Sequence, residues 1–145
     1  MKTHAVLFAV TLVGTQVFAA ASVRLPAGGT EVVIAPSAPP AVRFAAAEAT
    51  NFLSQTLGAA VPLATEPTAG RAHLFLGTNA WSAAAGVDVS RVATDGYVLL
   101  AKGSDVFLAG EDDPKIDPAA RVAKPSWSFH AFDHGTLNGG YGFLE

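Results

Sequence analysis

The feature that most constrains the fold is an apolar stripe with helical spacing between residues 42 and 57. Charged and amide side chains in this stretch fall largely off the stripe, and three of its members are alanines, whose small side chains let a helix lie close to its neighbour. The pattern therefore predicts one long helix over about 40–57, starting at the prolines before it and ending at Gly58, with its stripe packed on a sheet. The stripe consists of Val42, Ala45, Ala46, Ala49, Phe52, Leu53 and Leu57.

Short β-branched and aromatic runs predict the sheet itself. Pro62 favours an edge position for one run, and the short link at 102–104, which contains glycine, predicts that the last two runs form an antiparallel hairpin. Asn79 is placed to cap a short helical turn over 79–86. The predicted fold class is α+β, an α/β sandwich with a mixed sheet of about four to five strands, the long helix and a C-terminal helix over about 136–145. The runs lie at 31–35, 61–65, 72–77, 95–101 and 105–110.

Residues 1–21 have the character of a secretory signal peptide. A single lysine precedes an apolar stretch over 5–21, and Ala19-Ala20-Ala21 fits the small-residue cleavage pattern, with 17–19 as a second choice. The stretch is slightly shorter than the roughly 20 apolar residues of a membrane span and is interrupted at 14–16. We therefore expect export to the periplasm or medium of a bacterium, a mature domain over 22–145, and no membrane association after cleavage.

Composition excludes several kinds of partner and chemistry. Cleavage would leave eight basic residues against twelve acidic ones, so the chain lacks the basic surface that nucleic acid requires. Cysteine is absent, which rules out disulfides and cysteine catalysis. Neither a G-x-S-x-G nucleophile motif nor a G-x-G-x-x-G nucleotide motif occurs. The sequence therefore predicts no catalytic residue, no metal ligand and no cofactor.

Two polar groups are possible sites, and we interpret both as structural. The first is the acidic run Glu111-Asp112-Asp113 with Asp117 nearby, on a predicted surface loop over 111–128. It lacks the spacing of a calcium loop, so we expect its carboxylates to point into water. The second is His73 inside a predicted strand, which has no partner at metal-ligand spacing.

A third group precedes the C-terminal helix. His130 and His134 are four residues apart, a spacing that could chelate a metal on a helix, but Gly135 follows at once and the catalytic Glu of the HExxH motif is missing. A metal-dependent enzyme is therefore the last-ranked hypothesis. Rings beside hydrogen-bonding groups also suit a sugar, so Trp127, His130 and His134, together with Asp133, form a candidate ligand rim. Packing of the aromatic residues beneath the loop is the favoured alternative.

The C-terminal segment resembles a known family. Gly135-Thr136-Leu137, Gly139, Tyr141 and Phe143-Leu144-Glu145 are similar to the motif GTLYGVYDFLE of the N-terminal domain of family 67 α-glucuronidases and of the related secreted proteins that carry a DUF4838 region. A domain of the same type precedes the barrel of family 20 β-hexosaminidases. Four further segments resemble family motifs in the same order, so the resemblance covers roughly 30–145: 44–58, 73–78, 95–98 and 106–110.

The resemblance implies a non-catalytic accessory domain that lies before a catalytic (β/α)₈ barrel of the same parent chain. The parent would be a secreted, carbohydrate-active glycoside hydrolase, α-glucuronidase-like or hexosaminidase-like, that degrades oligosaccharide or polysaccharide. Glycines at 139, 140 and 142 each disfavour a helix by roughly 1 kcal/mol relative to alanine, so we expect the C-terminal helix to need packing from the barrel that would follow. The alternative function is a stand-alone secreted carbohydrate-binding module.

Overall fold

The computed structural model describes residues 22–123 and 133–145. The predicted signal peptide lies outside these residues. Within them the chain forms five strands and four helices. The strands are β1 (Thr30–Ile34), β2 (Leu63–Ala64), β3 (Ala72–Leu76), β4 (Tyr97–Lys102) and β5 (Asp105–Gly110), and the helices are α1 (Pro40–Leu57), α2 (Ala80–Ala85), α3 (Pro118–Ala123) and α4 (Gly135–Leu144).

The strands form one mixed sheet in the order β2-β1-β3-β5-β4. Strands β2, β1, β3 and β5 are parallel, and β4 joins β5 as the predicted antiparallel hairpin. Strand β2 lies at an edge, as Pro62 indicates, but only two of its residues pair. The α+β fold class with a five-stranded mixed sheet is therefore confirmed.

Helix α1 covers one face of the sheet, because its stripe of small residues faces alternate residues of the parallel strands. Leu74, Leu76 and Leu108 point to this face and are almost completely buried. Ala45 and Ala46 on the helix are also buried, and their short side chains allow the close approach that the stripe predicts. The helix begins at Pro40 and ends at Gly58, whose φ of 65° is the left-handed conformation that favours glycine.

The opposite face of the sheet carries an aromatic cluster and a polar row. Phe75 stacks on Phe107 with ring centroids 4.8 Å apart, and α2 packs over the pair. At the start of the strands His73 lies between two carboxylates, with Nδ1 2.8 Å from Asp105 Oδ1 and Nε2 3.3 Å from Glu31 Oε1. This placement supports the structural interpretation of His73, since burial of a charged carboxylate requires partners of this kind.

The glycines of α4 pack against this chain's own sheet. A side chain on Gly139 would come within 2.7 Å of the Tyr97 ring and 2.9 Å of Leu108, so only glycine lets the helix lie so close to β4 and β5. The expectation that the packing partner would come from a following barrel is therefore wrong. The sheet and α1 together provide the surface on which this helix packs.

The stretch after β5 is more ordered than the sequence indicates. The sequence predicts one long loop over 111–128. The structure instead has helix α3 within this stretch, and the buried Pro118 is the first residue of that helix. Proline suits the first turn of a helix because the missing N–H has no intrahelical acceptor there. Among the described residues, none of the helices has both the length and the apolar character needed to cross a membrane.

Candidate functional site

A polar cleft of about 350 Å³ lies at the carboxyl ends of the parallel strands. The loops after β1, β3 and β5 meet there because parallel strands all end at the same edge of a sheet, the edge at which open α/β sheets bind ligands. Pro39 and Thr78 come from the first two loops, and Asp112 and Asp113 come from the third. Asp133, just before α4, completes the acidic wall.

Asp112 joins the end of β5 to the start of α4. Its Oδ1 accepts from the backbone N–H of Thr136 at 3.1 Å, and its Oδ2 accepts from the Thr136 hydroxyl at 2.5 Å. That hydroxyl in turn accepts from the backbone N–H of Gly110 at 2.9 Å. A carboxylate at a helix N-terminus satisfies a donor that has no intrahelical partner and faces the positive end of the helix dipole. The prediction that this acidic run points into water is therefore wrong for Asp112.

Burial raises the pKa of Asp112 to about 6 from 3.8, and its bonds to Thr136 only partly offset that rise. The folded state therefore holds the proton more tightly than the unfolded chain between these two values. The stability that the protonated group confers is present in full below the pKa of the unfolded state. It is lost as pH rises through the pKa of the folded state. The carboxyl can change charge near neutral pH, although both of its oxygens are engaged in the helix cap.

We expect Asp112→Asn to remove a pH dependence of stability. An asparagine keeps a capping oxygen but has no titrating proton. The free energy of unfolding of the variant, relative to that of the wild type, should therefore rise between pH 4 and pH 7, by at most about 3 kcal/mol. Urea unfolding at four pH values checks this. Asp117→Asn, which removes an exposed acid that caps α3, is the control for the loss of one carboxylate charge at a helix N-terminus. A difference between Asp112→Asn and wild type that is constant with pH would contradict the assignment.

The other acids of the run are largely engaged in local backbone structure. Asp113 Oδ1 accepts from the N–H groups of Lys115 and Ile116, which forms a turn after β5. Asp117 caps α3 by accepting from Ala119 N at 2.9 Å. These contacts agree with the structural interpretation of the run, because the exposed Asp117 and the partly exposed Asp113 form a cap and a turn.

The candidate ligand rim is only partly within the described residues. Trp127 and His130 lie outside them, so their role in a rim, and the metal pair that His130 would form, stay predictions. His134 is 6% exposed and precedes α4, with Nδ1 3.2 Å from Asp95 Oδ1. Its backbone pairs with that of Asp112 in an isolated bridge. The structure therefore places His134 within the β5–α4 junction.

Within residues 22–123 and 133–145, no cluster of three or more histidine or acidic side chains is arranged to hold a metal ion. The acidic residues that line the cleft could accept hydrogen bonds from a ligand, and Asp112 among them holds the start of α4 in place. Sequence reasoning missed the pairing of Asp112 with Thr136, which are 24 residues apart. The sequence did contain one signal of this pairing. Neither His134 nor Gly135 provides a side-chain cap for α4, so a cap from a distant residue was to be expected.

Comparison with solved structures finds a structural neighbour that covers most of this chain. No protein-family model matches the chain, and no curated protein matches it. A solved structure described as a novel family GH115 4-O-methyl-α-glucuronidase, BtGH115A, with specificity for decorated arabinogalactans, aligns with a TM-score of 0.53 over 83% of this chain at 20% identity. The aligned part is 14% of that protein's length. The chain thus shares its fold with a small segment of a glycoside hydrolase.

Proposed function

We propose that this chain is the non-catalytic N-terminal accessory domain of an exported, carbohydrate-active glycoside hydrolase. The observation that carries the proposal is the fold match, in which 83% of this chain corresponds to only 14% of a glucuronidase. Such a segment is far smaller than a (β/α)₈ barrel, which typically needs about 250 residues. The catalytic barrel is then a partner within the same parent chain.

The use of polar groups in the described residues supports an accessory role. Asp112 caps α4, and the His73 ring lies between the carboxylates of Glu31 and Asp105 on the sheet. A general acid or base must reach the substrate, whereas both oxygens of Asp112 accept bonds from Thr136. These side chains stabilise the domain.

The α-glucuronidase activity of the structural neighbour favours an α-glucuronidase-like parent over a hexosaminidase-like one. Its specificity for decorated arabinogalactans makes these polysaccharides the first substrates to test. Export would bring the parent enzyme to a polysaccharide substrate outside the cell. Trp127 and His130 of the candidate ligand rim stay candidates for contact with the sugar.

The test compares the 145-residue chain with the longer product of the same reading frame. We expect the longer product to release glucuronic acid or its 4-O-methyl ether from decorated arabinogalactan, and the short chain to release none. Release of uronic acid by the short chain alone would contradict the accessory role. Tight binding of oligosaccharide by the short chain in calorimetry, together with a stop codon after Glu145, would instead favour the stand-alone binding module.

A further inference from the structure

We infer that the groove between the outer faces of α1 and α4 is the surface on which this domain docks against the polypeptide that follows Glu145. The inference rests on the proposed function and deepens it, because it names the face of the accessory domain that contacts the rest of the enzyme. The groove has a volume of about 280 Å³ and is lined by Glu48, Asn51, Phe52, Gln55, Tyr141, Leu144 and Glu145.

The groove is apolar at its centre and exposed. Phe52 comes from α1 and Tyr141 comes from α4, and each is 44% exposed. The inner faces of both helices are already buried against the sheet and each other, so these two rings have no core to fill. Large aromatic side chains with a polar rim are typical of protein interfaces. A surface of this composition is expected to be covered.

Under the proposed function, the position of Glu145 selects one occupant of the groove. Leu144 and Glu145 themselves line it, so the first residues after Glu145 leave from within the groove. In the structural neighbour, most of the protein lies outside the matched segment. The occupant closest in sequence is therefore the next segment of the same chain, whose effective concentration at the groove is high because it is tethered there.

The polar residues that line the groove determine which side chains can bind there. Two of them are acidic, Glu48 and Glu145, and two are amides, so the groove lining is negatively charged and contains no basic residue. Glu48 lies close enough to Tyr141 for its charge to add to the effect of burial, which raises the pKa of the Tyr141 hydroxyl. A complementary occupant has apolar side chains flanked by arginine or lysine.

Another exposed apolar residue provides a matched comparison. Leu99 on β4 is 50% exposed, close to the value for Phe52, but it lies outside the lining of the groove. If docking uses the groove, Phe52 becomes covered in the longer protein and Leu99 does not. The pair therefore separates docking at this groove from general burial of apolar surface.

Cysteine labelling tests this directly because the chain has no cysteine of its own. Phe52→Cys and Leu99→Cys would each be made in the 145-residue chain and in the longer product, and maleimide modification would be followed by mass spectrometry of the labelled peptide. We expect similar rates for both sites in the short chain. In the longer product, Phe52→Cys should react at least about tenfold more slowly, with Leu99→Cys unchanged.

Tyr141→Cys on the facing helix gives a second readout if Phe52→Cys fails to fold. Equal reaction of the groove cysteine in both lengths, with a longer product that still hydrolyses polysaccharide, would overturn the docking surface and leave the proposed function standing. Equal slowing at Leu99→Cys would also overturn it. A reading frame that ends at Glu145 would overturn both proposals together.

Discussion

Gly135→Ala is expected to destabilise the domain by about 3 kcal/mol, because the added methyl group has no room. Gly135 begins α4 at a point where three glycine backbones meet. A Cβ there would collide with the carbonyl oxygen of Gly96 and would lie 3.0 Å from the Cα of Gly110. These neighbours are backbone atoms, which cannot rotate away as a side chain can. Urea unfolding followed by circular dichroism measures the loss.

Gly140→Ala in the same helix is the matched control. Its Cβ would meet only the Cβ of Ala45, at an ordinary 3.9 Å. Because alanine favours a helix over glycine by about 1 kcal/mol, this variant should be stabilised by up to that amount. If both substitutions stabilise, or both destabilise equally, the close packing of α4 against β4 and β5 is contradicted.

Thr136→Val is expected to cost about 2–3 kcal/mol while conserving the shape of the side chain. Thr136 is completely buried, and its hydroxyl accepts from Gly110 N and donates to Asp112. Valine leaves the Gly110 N–H without its acceptor and removes one bond from the buried carboxyl, and both changes carry a desolvation penalty. Thermal and urea unfolding measure the change.

Thr136→Ser separates the hydroxyl from the methyl group. Serine keeps both hydrogen bonds and loses one buried methyl, so it should cost only about 1 kcal/mol. A serine variant as unstable as the valine variant would show that packing, and not the bond between β5 and α4, is the main contribution of Thr136.

The elements with strong periodicity could be predicted from sequence because their signals are local. Helix α1 has the predicted bounds, since the stripe, the leading prolines and Gly58 all lie within one contiguous stretch. The hairpin of β4 and β5 follows from its short glycine-containing link. The capping of α2 by Asn79 depends on Ser82, three residues away. In each case the stabilising contacts lie near one another in the sequence.

The junction of β5 with α4 could not be predicted in the same way. Its contacts join Gly96, Gly110, Asp112 and the start of α4, which are brought together only when the sheet has formed. The glycines of α4 predict a helix that needs a packing partner, and the structure provides Tyr97 as that partner for Gly139 and Gly142. The candidate rim was built on local spacing, and His134 lies instead within the junction.

The length of the natural secreted protein tests the accessory-domain proposal most directly. Antibodies raised against residues 22–145 would isolate the protein from the periplasm or medium of the source organism, and intact mass spectrometry with N-terminal sequencing would define its ends. We expect a mature protein that begins at Ser22, after Ala21, and extends through a barrel-sized segment beyond Glu145. A secreted product consisting of residues 22–145 alone would contradict it.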